Sequence, residues 1–142
     1  MIKKIFAPGN DSCTTSGGLL ALRLFFGLTM LLHHGWDKLM TFSDKSSSFP
    51  DPMHVGHATS LALTVFAEVV AAALLAVGLC TRFAALVLAF EMGTAFTMVH
   101  KMALGGMMPG EMAFVYFGAY FTLLLAGGGR FSLDMVLFGK GK

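Results

Sequence analysis

The sequence predicts an all-α protein: a bundle of four transmembrane helices with short interfacial segments at its N- and C-terminal ends. Three observations lead there. Of 142 residues, 56% are hydrophobic and 13% charged, where a soluble domain carries roughly 25% charged residues, and the mean hydropathy is +0.73. Four apolar segments of helical length alternate with breaks rich in Gly, Pro, Ser or charge. The ionisable residues inside those segments are few and isolated, as in a membrane interior, where each marks pairing or function. A net charge of +2 gives no basis for nucleic-acid binding. Cys13 and Cys80 are far apart with no CxxC spacing, so neither a zinc site nor a disulfide framework is indicated.

Residues 1–16 read as an interfacial tail, mixed in character and rich in turn formers. Pro8-Gly9-Asn10-Asp11 interrupts the apolar run a cleavable signal needs, so the first span reads as the insertion signal. That helix is expected over about 17–40. At about 100° per residue, Arg23, Gly27, Met30, His34 and Lys38 form one polar-lined stripe, with His33 about a quarter-turn away. Ser43 to Pro52 is too polar and proline-rich to span. A second helix is expected over about 59–80, its 22 residues rising roughly 33 Å, with Glu68 near its middle. The third is expected over about 82–100 with Glu91 near mid-depth, and the fourth over 111–126 after the break at Gly105 to Gly110. Gly127-Gly128-Gly129 lacks the strand and Lys-Ser pair of a phosphate loop and reads as a helix stop. It opens a second interfacial segment, 127–142.

Four spans put both termini on one side. Lys3, Lys4, Arg82, Arg130, Lys140 and Lys142 would share it, against Lys38, Lys45 and Lys101 opposite. The positive-inside tendency then makes the termini cytoplasmic in a bacterial- or archaeal-type inner membrane. His34, Lys38, His54, His57, His100 and Glu111 gather at the outer face.

A carboxyl in mid-span must face the bundle interior, so Glu68 is the sharpest signal, as a pathway, ligand or pairing group. Glu91 lies about 180° from His100 on a regular helix and is expected to turn toward another subunit. His54 and His57 are three apart but lie in a loop with no completing ligand set. With Met102, Met107 and Met108 read as packing, no haem or metal is expected.

Several stretches in a fixed order resemble DoxX-like membrane proteins over residues 19–134: Arg23-Leu24, Gly27, His34-Gly35-Trp36-Asp37-Lys38-Leu39, Glu68, Gly78-Leu79-Cys80-Thr81-Arg82, Ala84-Ala85-Leu86, His100, Glu111, and Gly127 to Asp134. The resemblance implies a four-helix integral membrane protein related to small subunits of quinol oxidases and thiosulfate:quinone oxidoreductases, and to membrane partners of redox-defence and assembly systems. His33, Glu91 and the glycine triplet depart from the common pattern.

Together these give a membrane subunit of a redox complex, not an enzyme by itself, that holds a quinone or quinol head group near the outer leaflet. His34 and His100 would bond its carbonyl ends, Glu68 or Glu111 would relay protons, and Arg23 and Lys38 would balance charge. Its partners would be the bilayer and other membrane subunits, one of them the source of electrons. A non-catalytic scaffold would instead fill the seam with the ion pairs Arg23–Glu68 and Lys38–Glu111. Solute or proton transport would need a polar path past Glu68 to the Arg82 side, where polar residues are sparse.

Overall fold

A computed structural model describes residues 12–106 and 109–139. Lys3, Lys4, Met107, Met108, Lys140, Lys142 and most of the N-terminal tail lie outside the described residues. Within them all regular structure is helical: α1 Cys13–Met40, α2 Phe42–Lys45, α3 His57–Val77, α4 Thr81–Val99, α5 Glu111–Ala126 and α6 Leu133–Phe138. The helices α1, α3 and α4 are long and apolar enough to cross a membrane, and α5 is a shorter apolar helix of 16 residues.

The ends of these helices follow from local chemistry. Ser12 caps α1, its hydroxyl oxygen accepting the Thr15 N–H at 3.1 Å. That cap starts the helix at Cys13, ahead of the expected 17, inside what reads as tail. Asp51 does similar work for α3 from five residues upstream of Gly56, accepting the N–H groups of Val55 and Gly56 and the Ser60 hydroxyl. At the far end Gly78, with φ of 75°, lets its N–H bond Leu75 O and the Leu79 N–H bond Leu74 O. This left-handed reversal stops α3 at Val77, three residues short of the expected 80. A loop carboxylate, Asp134, then accepts the N–H groups of Cys80 and Thr81 at 2.7 and 2.8 Å and so caps α4.

Helices α1 and α3 approach closely because glycine faces alanine. A Cβ on Gly27 would lie 3.1 Å from Ala72 O, and one on Gly35 would lie 2.5 Å from Glu68 O, the small-residue packing of membrane helices. Ala71, Ala72, Leu75, Ala84, Ala85, Leu88, Tyr120 and Leu123 form the dry centre. Tyr116 and Tyr120 of α5 pack edge-on against Phe26 of α1. Large apolar side chains face outward on every long helix, among them Phe25, Leu32, Leu63, Phe90 and Leu125, a surface that suits lipid rather than water.

Three of the helices carry a π turn: Met30–Gly35 in α1, Phe66–Ala71 in α3 and Ala95–Val99 in α4. Each wide turn accommodates one extra residue and rotates the remainder of its helix about the axis. On α1 the buried positions run Ser16, Leu19, Arg23, Gly27, Met30 and then Gly35, a final step of five. The regular stripe would have placed His34 there. The structure turns His34 aside, its ring edge-on to Tyr116 at 5.9 Å, and gives the inward position to Gly35.

Candidate functional site

Beyond Gly35, one turn further along the rotated face, Lys38 reaches between α1 and α3. Its Nζ donates to Glu68 Oε1 at 2.8 Å and to Oε2 at 2.7 Å. The Lys38 side chain is 21% exposed and that of Glu68 4%, so the ammonium can remain near the surface while its partner is enclosed. Helix α4 brings Glu91 to the same place, its carboxyl within hydrogen-bonding reach of Glu68. The Glu91 stem is partly exposed, yet its Oε2 is fully buried and has no hydrogen-bond partner.

These three side chains form the polar floor of a cavity of about 400 Å³, within the size range of small-molecule sites. Its walls are apolar: Leu63, Phe66 and Ala67 from α3, and Val87, Phe90, Met92, Ala95 and Val99 from α4. Leu63, Phe66 and Phe90 are also exposed on the outer surface, so the cavity opens sideways between α3 and α4. Phe49, Pro50, Pro52 and Met53 cover it from the loop side. That strap is held by Asp51 on Ser60 at 2.7 Å and by a 2.6 Å hydrogen bond between His57 Nδ1 and Phe49 O. The Ser60 hydroxyl, aided by the N–H groups of Gly56 and Val55, holds the Asp51 carboxyl below the usual carboxylate range against a partial opposing effect of desolvation. His54 and His57 do not share a helical face: His54 lies in left-handed loop backbone and His57 opens α3.

Of the six site residues read from sequence, the structure brings Lys38 and Glu68 together in this cavity and places four elsewhere. His34 contacts Tyr116. His100 caps α4 outside the cavity lining, its Nδ1 buried without a partner near Gly110. Glu111 is exposed at the start of α5 and does not pair with Lys38. Arg23 is separated from Lys38 by fifteen positions of α1, roughly 22 Å of helix, because it serves the opposite end. There its guanidinium is fully buried, donating to Ala76 O at 3.2 Å and to Phe131 O, with the Asp134 carboxylate as counter-charge. Arg23 therefore pairs with neither Glu68 nor a ligand in the cavity. It ties the segment after α5 to the α3–α4 reversal, so 127–139 belongs to the bundle rather than to a loose surface tail.

The same geometry corrects the expectation for Glu91. Glu68 lies ten residues before Gly78 and Glu91 ten residues after Thr81, so two antiparallel helices joined by a tight reversal carry them at one level. The carboxyl of Glu91 turns inward to Glu68 rather than outward to another subunit. Equal distance from the Gly78 turn is the signal for it, masked when Glu91 is set against His100 on an unbroken helix.

A comparison with protein-family models decides the family: the DoxX model matches residues 18–101. The chain belongs to the DoxX family. No curated protein and no solved structure matches it. The matched range holds α1, α3 and α4 and so includes every residue of the polar floor, whereas α5 and the Asp134 segment lie beyond it. In this DoxX protein the three membrane-length helices are therefore also the three that build the cavity.

Proposed function

We propose that this DoxX-family protein holds the ring of a quinone-type lipid in the cavity between α3 and α4, as a membrane subunit of a redox complex whose partner supplies the electrons. In this reading α5 is a fourth, short span, the termini are cytoplasmic in an inner membrane, and the cavity lies toward the outer leaflet. The observation that carries it is a sideways opening lined by Leu63, Phe66 and Phe90 above a floor of Lys38, Glu68 and Glu91. A ring lipid needs an apolar slot, an exit for its tail into the bilayer, and groups that bond and exchange protons with its oxygens. Lys38 can donate to a ring oxygen, and the Glu68–Glu91 pair can accept or release a proton beside it.

The scaffold alternative expects interior ion pairs and no cavity. Interior pairing occurs with different partners, and the cavity remains. Transport finds less support, because Ala71, Ala72, Leu75, Ala84, Ala85 and Leu88 fill the bundle between Glu68 and the Arg23 end.

The test is thermal unfolding of the purified protein in detergent with a short-tailed quinone analogue, compared with Thr64→Trp, which fills the cavity from its wall. The analogue should stabilise wild type by several degrees and leave the variant unchanged. Equal shifts in both, or none in either, would reject the assignment.

A further inference from the structure

The polar floor has an imbalance that bears on which redox form of a ring lipid it holds, an inference that rests on the reading above. Both contacts of the Lys38 ammonium go to Glu68. Two carboxyl groups within hydrogen-bonding reach, as Glu68 and Glu91 are, need a proton between them, since ionised carboxylates only accept. One ammonium, one carboxylate and one carboxylic acid also make the enclosed cluster neutral, which its burial favours. That arrangement uses one oxygen of Glu91. The other, Oε2, is buried and without a donor. Two nearby hydroxyls that line the cavity are committed elsewhere: Ser60 donates to Asp51 at 2.7 Å and Thr94 to Phe90 O at 2.9 Å. A buried acceptor left empty is destabilising, so the complementary ligand brings a donor of its own.

We propose that the cavity prefers a hydroxyl-bearing ring, a quinol or phenol, over the carbonyl-only quinone, with the ring hydroxyl donating to Glu91 Oε2. The tail leaves between Phe66 and Phe90.

Binding of 4-decylphenol and of its methyl ether to the full-length protein in lipid nanodiscs, with empty nanodiscs correcting for partition, tests this without redox chemistry. The two probes share ring and tail and differ in one donor. The phenol should bind about tenfold more tightly to wild type, as for one hydrogen bond to a carboxyl. Glu91→Leu should bring the two within about twofold, and Glu91→Gln, which keeps an acceptor oxygen, should retain a preference. Equal affinities in wild type would overturn the proposal while leaving the ring-lipid reading intact. A preference that survives in Glu91→Leu would also overturn it. Binding of neither probe above empty nanodiscs would remove the ring-lipid reading together with the proposal.

Discussion

Gly35 of α1 lies against the backbone of Glu68 on α3, so close that a Cβ there would fall 2.5 Å from the Glu68 carbonyl oxygen. This approach brings Lys38, one turn on, within reach of the Glu68 carboxylate. Gly35→Ala should therefore destabilise the protein by about 1–3 kcal/mol, the range for overpacking, and loosen the Lys38–Glu68 pair. Gly17→Ala, where a Cβ would meet nothing within 4 Å, should be neutral or slightly stabilising. Thermal unfolding of both variants in one detergent checks the contrast.

The Lys38–Glu68 pair should show strong non-additivity. Lys38→Met leaves a nearly enclosed carboxylate without its cation and should cost about 3–5 kcal/mol. The double variant Lys38→Met/Glu68→Met replaces the pair by apolar chains and should recover much of that loss. A double-mutant cycle on unfolding free energies measures the coupling.

The opposite end depends on Asp134, which caps α4 and faces the buried Arg23 guanidinium. Asp134→Ala removes two charge-assisted hydrogen bonds and the counter-charge, and should cost about 2–4 kcal/mol. Hydrogen exchange should accelerate most at the Cys80 and Thr81 amides. Arg23→Lys should not substitute for the native residue, since two separate carbonyls are served by the guanidinium fork.

The strap over the cavity should loosen in acid. The folded-state titration of Asp51 is displaced downward, chiefly by the Ser60 hydroxyl, so its stabilising contribution is complete above the ordinary aspartate range and is lost as pH falls through the lower folded value. Proteolytic nicking between Phe49 and Gly56 should rise over that acidic window in wild type. In Asp51→Asn it should be high and nearly independent of pH.

Much of this architecture is legible in the amino-acid order because its signals are local. The break at Gly78 is marked by a residue that tolerates positive φ, and Glu68 declares itself as a carboxyl among Val, Ala and Leu. What escapes is set by contacts between helices. Nothing in Met30 to Gly35 marks a π turn, so an unbroken 100° progression assigns His34 to the position Gly35 occupies. Arg23 looks like a partner for Glu68 because both are charges in apolar runs. Its acceptors are backbone carbonyls of Ala76 and Phe131, which no residue identity reveals. Glu91 is recoverable, since its distance from the reversal equals that of Glu68.

The most direct test is photo-crosslinking in native membranes with a photoreactive quinone analogue, mapped by peptide mass analysis. A ring seated over Lys38, Glu68 and Glu91 predicts labelling concentrated on α3 and α4 around Phe66 and Phe90, and lost in Thr64→Trp. Labelling spread over outward-facing residues such as Phe25 and Leu125, unchanged by that substitution, would contradict it.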